Sequence, residues 1–153
     1  MDCDIAFKIA NTGALICWLA LMFLPRREWL MTALRRVAIG SICVVYSCVI
    51  FFFVPNADGG GFESLQQIRL LFASDEVLFA AWLHYLAFDL FVGLWISEQF
   101  DLKKIHRVLQ IPVLAATFLL GPFGLLLYFV IDAILWLHRK GTTSTDRPLE
   151  PIG

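Results

Sequence analysis

Charge is scarce in this sequence. Only 16% of the 153 residues are Asp, Glu, Lys or Arg, while 59% are apolar. Soluble domains carry about 25% charged and about 45–50% apolar residues, so a water-soluble fold of this size could not cover so much apolar surface. A formal net charge of −1 offers no basic surface for nucleic acid. Cys3, Cys17, Cys43 and Cys48 form no C-x-x-C pair, and three of them lie in apolar runs. They read as small buried hydrophobes rather than disulfides or metal ligands. Rossmann, P-loop, zincin and nucleophile-elbow motifs are missing. So is the cationic start of a secretory signal. The chain opens Met1-Asp2-Cys3-Asp4, and its first apolar run has no small-x-small cleavage site, so that run reads as a retained span.

What is present is hydrophobic sequence in long blocks. Four of them, at about 5–24, 34–54, 76–97 and 111–137, are each long enough for a hydrocarbon core about 30 Å thick at 1.5 Å per residue. The first stops at Pro25-Arg26-Arg27 and the second at Pro55-Asn56. Gly121-Pro122-Phe123-Gly124 interrupts the fourth, because proline lacks a backbone donor and crowds the preceding turn. The expected architecture is all-α, an integral membrane bundle of four transmembrane helices in one domain, 1–140. Its fourth helix is kinked at Gly121-Pro122, with two half-helices as the alternative. Gly59-Gly60-Gly61 forms a flexible link into 62–72, whose weak amphipathic pattern suits the membrane surface. The segment 141–153, rich in Thr, Ser and Pro, reads as a disordered tail.

Loop cations set the expected orientation. Arg26, Arg27, Arg35, Arg36, Lys103, Lys104 and Arg107 fall on one side, against Lys8, Arg69, Arg139, Lys140 and Arg147 on the other. This bias places both termini outside the cytoplasm of a multi-pass protein, in a membrane such as the bacterial inner membrane.

The third block carries two residues that hydrocarbon disfavours. His84 and Asp89 stand inside the aromatic-rich run from Trp82 to Trp95, and ionisable groups within a span mark function by default. Counted inward from the outer helix ends, Asn11, Ser47, His84 and Asp132 share a depth of roughly 10 Å, with Asp89 about 7.5 Å deeper. Unpaired polar groups are costly in hydrocarbon, so these side chains are expected to converge inside the bundle. A hydrogen-bonded cluster that only fixes packing is the plain alternative. His84 and Asp89 lie five residues apart, about 140° around a helix, and are expected to flank a cavity as acid and base. They form the candidate catalytic pair. Asn11, Ser47, Tyr85, Phe88 and Asp132 are candidate substrate-contacting residues.

A metal is not expected, since no Glu-x-x-His or His-x-x-x-His spacing occurs, and no cofactor is implied. Glu98, Asp101 and His106 group near Lys103 and Lys104 in what reads as a solvated loop. Trp18, Trp82, Trp95 and Trp136 read as interfacial anchors. Phe51-Phe52-Phe53, Phe88 and Phe91 offer either core packing or a bulky lining for a polyene or lipid.

Ile9-Ala10-Asn11-Thr12, Trp18-Leu19-Ala20-Leu21 and Pro25 resemble the opening of abscisic-acid-deficient-4-like membrane proteins. The stronger likeness is Leu71-Phe72-Ala73-Ser74, the run from Trp82 to Gly93 with its Ala87-Phe88-Asp89-Leu90-Phe91, then Trp95-Ile96, Pro112 and the stretch from Phe118 to Tyr128. The resemblance covers nearly the whole chain up to the tail. It implies a four-span membrane protein related to the plant factor needed to convert violaxanthin to neoxanthin. That reaction opens an epoxide and removes a proton from the neighbouring polyene carbon, leaving an allene. One departure stands out: where the family commonly carries an arginine before the tryptophan, this chain has Leu94. The expected function is a membrane-embedded carotenoid or isoprenoid isomerase using intramembrane acid and base groups. The alternatives are a non-catalytic pigment- or lipid-binding subunit and a small proton-coupled transporter. The expected partners are a lipophilic small molecule, membrane lipids and a second copy of the chain, with no nucleic acid.

Overall fold

The computed structural model describes residues 2–54 and 60–145. Among them the chain is all helical: α1 (Cys3–Phe23), α2 (Glu28–Phe53), α3 (Leu65–Leu71), α4 (Asp75–Leu102), α5 (Arg107–Leu120) and α6 (Pro122–Thr145). Local chemistry sets several ends. The Asp2 carboxylate accepts the Ile5 N–H at 3.1 Å to start α1. Ser74 caps α4, with Asp75 and Glu76 in its first turn facing the positive end of the dipole. Extended backbone at Leu24, before Pro25, ends α1. Within α2, Ala33–Ile39 widens into π-helix, which keeps the helix continuous while shifting its face. The short α3 begins at a Ser64 cap and buries Leu71 while Leu65 stays exposed, as a helix lying on a surface does.

Three helices, α1, α2 and α4, are long and apolar enough to cross a membrane. Their exposed Ile, Leu, Val and Phe side chains would be an aggregation hazard in water and are natural toward lipid. The chain is an integral multi-pass membrane protein. Its central rod is α4, packed against α1, α2 and α5. α1 lies parallel to α4, since Asn11 meets Trp82 and Arg26 meets Asp101. α2 lies antiparallel, with Tyr46 against His84 and Arg35 paired with Glu98. Trp18, expected to anchor at an interface, is instead 1% exposed. Its ring lies 5.4 Å from that of Phe118 and occupies the notch at Gly93, where a Cβ would overlap the indole.

The fourth block departs from the expected kinked span. α5 and α6 are two shorter apolar helices that double back on each other, the half-helix alternative. Gly121 supplies the reversal with φ +50°, a conformation glycine tolerates readily. α5 runs antiparallel to α1, pairing Gln110 with Arg26 and Phe118 with Trp18. α6 then runs parallel to α4, placing Tyr128 on Trp95 and Phe100, and Asp132 on Lys103. At 14 residues α5 is about 21 Å long, too short to cross. The hairpin apex lies beside Asp89, halfway along α4. A glycine-proline pair reads equally as a kink or a reversal in sequence; contacts along α4 decide for reversal.

This reversal corrects the expected topology. α6 ends on the face that carries Arg26, Arg35 and Lys103, so the N-terminal end of α1 and the C-terminal end of α6 lie on opposite faces. Lys140 joins that face, leaving Lys8 and Arg69 as the described cations on the other. The positive-inside rule now predicts a cytoplasmic end for α6. A fluorescent reporter fused behind α6 is expected to shine in intact cells, and an export-dependent phosphatase at the same point to be inactive. The opposite pattern would reject this orientation, and reporters at both chain ends on the same side would reject the hairpin. Residues 141–145, assigned to the tail from sequence, continue α6. Pro55-Asn56, Gly59 and 146–153 lie outside the described residues.

Candidate functional site: a buried carboxylate at the hairpin apex

Asp89 faces the hairpin from the middle of α4 and is 9% exposed. Its Oδ2 has no hydrogen-bond partner. A Cβ at Gly121 would lie 2.8 Å from Oδ1, so the carboxylate approaches the turn as closely as glycine permits. Tyr85, one turn earlier on the same helix, donates from its hydroxyl to the Phe118 carbonyl at 3.4 Å. The same hydroxyl lies near enough to Asp89 to interact with it electrostatically. A lone carboxyl among apolar walls, with one oxygen uncommitted, is suited to exchanging a proton with a guest.

His84 does not join it. The 140° separation turns its ring to the other side of α4, exposed, stacked on Phe88 at 4.4 Å and 5.7 Å from Tyr46. Phe88 is itself 56% exposed. The expected pair around one cavity is therefore two residues on different faces. Nor do the other polar groups converge. Asn11 accepts from the Trp82 indole at 2.7 Å. Ser47, exposed on α2, donates to the Cys43 carbonyl of its own helix at 2.8 Å, which removes its need for a partner helix. Asp132 pairs with Lys103 at the opposite end of the molecule, because α6 returns instead of crossing. Equal depth was inferred for a topology the chain does not adopt.

A groove of about 720 Å³ opens between the starts of α1 and α4. Asp2, Asp4, Asp75 and Glu76 rim it and Phe7, Trp82 and Tyr85 line it, while Asp89, one turn beyond Tyr85 on α4, is not part of its wall. That volume falls within the roughly 300–1,000 Å³ of small-molecule sites. Among the described residues no group of His, Cys, Asp and Glu is gathered as metal ligands.

Two polar clusters at the cation-rich face were not legible as such in sequence. In one, Lys103 donates to Asp132 and, at 2.8 Å, to the Tyr128 hydroxyl, clasping α6 to the end of α4. Burial lowers the Lys103 pKa, but the bonds to Asp132 and Tyr128 outweigh it and leave the ammonium above its ordinary value. The clasp therefore contributes stability that is complete below the ordinary lysine pKa of about 10.4 and fades as pH rises through the higher folded value. Thermal melts are expected to fall at strongly alkaline pH, and Lys103→Gln to remove that part of the fall. An unchanged alkaline limb in the variant would exclude the clasp.

In the other, Arg26 is drawn under the bundle. One of its nitrogens, Nη1, donates to Ser97 O at 3.0 Å, Asp101 Oδ2 at 2.7 Å and Gln110 Oε1 at 2.7 Å. Gln110, fully buried, donates in turn to Asp101 and to the Ile105 carbonyl. Asp101, read as a solvated loop acid, thus ties α1, α4 and α5 together. A glutamine inside an apolar helix was the available signal, since a buried amide needs partners.

The profile of the ABA DEFICIENT 4-like family matches residues 5–128. No curated protein and no solved structure matches the chain significantly. The matched region holds α1, α2, α4, α5, the hairpin apex and Asp89, and stops at Tyr128 where α6 packs on α4. By that match over most of its length, this membrane protein belongs to the ABA DEFICIENT 4-like family.

Proposed function

We propose that the protein is a membrane-embedded isomerase of carotenoids or related isoprenoids, with Asp89 as its acid–base group. The observation that carries this reading is the buried carboxyl with an unpartnered Oδ2 at the hairpin apex. Family membership supplies the substrate class, through the relation of these proteins to neoxanthin formation. Opening an epoxide to an alcohol while losing a proton from the adjacent polyene carbon changes no overall composition. One carboxylic acid suffices: its O–H protonates the epoxide oxygen, and an oxygen of the resulting carboxylate takes the carbon-bound proton, restoring the acid. The Tyr85 hydroxyl would support charge on the epoxide oxygen by turning its one proton away from the Phe118 carbonyl. His84, on the outer face, is left out of the mechanism, and no cofactor is required by the balance.

The 720 Å³ groove has room for a substituted cyclohexane ring, and reaction at Asp89 requires the ring to reach past Tyr85, one turn along α4. Incubating the purified chain in detergent with a xanthophyll epoxide is expected to give a new chromatographic peak of unchanged mass and a shorter-wavelength absorption. Pigment retained without any new peak would transfer the reading to a binding subunit. Neither retention nor product would end it.

A further inference from the structure

The lipid-facing side of the bundle carries polar groups that hydrocarbon cannot satisfy. His84 is exposed and Tyr46 half-buried, and their rings lie 5.7 Å apart where α2 meets α4. They meet as rings only: neither the imidazole nor the Tyr46 hydroxyl makes a hydrogen bond among the described residues. The hydroxyl is not sealed inside the bundle, so an outside group can reach both. At 28 residues, α4 is about 42 Å long and overhangs a hydrocarbon core about 30 Å thick by about 6 Å at each end. His84, about 13.5 Å into that helix, therefore lies below the headgroups. Unpaired polar groups at that depth are costly and call for a polar partner, which acyl tails do not offer. Beside them the surface of α2 is slim. Cys43 and Ser47 are exposed, and a Cβ on Gly40 would meet nothing within 4 Å. Gly40, Cys43 and Ser47 share one side of the helix, and Cys43 also neighbours Tyr46 one turn on, so the small residues and the polar pair form a single face.

We infer that this face of α2 and α4 docks a second copy of the chain, each Tyr46 hydroxyl donating to the partner subunit's His84. Copies inserted with one orientation are related by a two-fold axis along the membrane normal, which keeps every residue at its own depth. Tyr46 and His84 share a depth because their rings touch, so the operation sets the hydroxyl of one copy level with the imidazole of the other. The pair is self-complementary, since a phenol donates and a neutral imidazole has one nitrogen that accepts. Helices in membranes associate through small residues that let backbones approach and through polar side chains that bond across the contact. Both kinds stand together here, which favours a helix over an acyl chain as the occupant.

Full chains fused behind α6 to a donor or an acceptor fluorescent protein, mixed in phosphatidylcholine vesicles, test the contact. Energy transfer is expected to stay above the level of random proximity as lipid is added. In Tyr46→Phe, which keeps the ring and loses two interhelical hydrogen bonds, it should fall to half at about tenfold less lipid. Adding Tyr46→Phe to His84→Ala should cost little more than His84→Ala alone, since both remove the same bonds. Gly40→Leu, whose side chain projects into open space in one copy, should melt no lower than the parent yet transfer only at the random level. Random-level transfer in the parent, or a midpoint that either Tyr46→Phe or Gly40→Leu leaves unmoved, overturns the inference. A parent at the random level that retains a hydroxylated lipid, released by Tyr46→Phe, would overturn it by giving the face to a small molecule. Neither Tyr46 nor His84 takes part in the chemistry proposed at Asp89, so this result is separate from the fate of that reading.

Discussion

Asp89→Asn is expected to slow polyene conversion by roughly 10²- to 10⁴-fold, the usual worth of a positioned proton donor and acceptor. The amide keeps the shape of the carboxyl and still fits against Gly121, but it can neither deliver a proton to an epoxide oxygen nor take one from carbon. Its melting temperature should stay close to that of the parent, because Oδ2 makes no hydrogen bond to lose. His84→Ala gives the contrast. With its ring on the outer face against Phe88 and Tyr46, it is expected to keep turnover within about threefold of the parent, far short of a general acid–base loss. Quantifying product by chromatography after equal incubation of the three proteins decides the matter. Comparable product from Asp89→Asn would remove the carboxyl from the chemistry, and collapse in His84→Ala alone would move the site to the lipid side.

Gly124→Ala is expected to destabilise the protein by about 3 kcal/mol or more, beyond the common range of core overpacking. A Cβ there would run into the backbone and hydroxyl of Thr117, which is itself fully buried. Backbone cannot rotate away as a side-chain tip can, so α5 and α6 would have to part near their apex. In a single kinked helix the two residues would stand about 10 Å apart along the axis, and the same methyl group would meet nothing there. Gly13→Ala serves as control: open space surrounds that position, and alanine should gain up to about 1 kcal/mol of helix propensity. Melting of both variants in detergent, followed by size-exclusion elution, reads the difference. A Gly124→Ala protein as stable as Gly13→Ala would contradict the hairpin.

The membrane class and the first three long helices were legible because hydropathy and length are properties of each segment alone. Asp89 was legible for the same reason, as an acid set in apolar sequence. What sequence left open was direction. Gly121-Pro122 ends one helix and permits the next, but only Lys103 meeting Asp132 and Trp95 meeting Tyr128 show which way α6 travels. Depth counting for Asp132 failed with that direction. His84 was misjoined to Asp89 because a 140° offset allows either two walls of one cavity or two separate faces, and packing of α2 on one side and the hairpin on the other chose separate faces. Arg26 looked like a headgroup-side arginine until Gln110 and Asp101, distant in sequence, closed around it.

Because α5 and α6 enter and leave by one face, five helices occupy one half of the bilayer and three occupy the other. Hydrocarbon tails of the sparsely built leaflet therefore meet the exposed Leu119, Leu120 and Phe123 that flank the buried Gly121. If the proposed isomerase reading holds, a greasy substrate diffusing in the plane of the sheet would meet fewer helices on its way to the apex from that leaflet than from the other, so the leaflet of delivery would influence turnover.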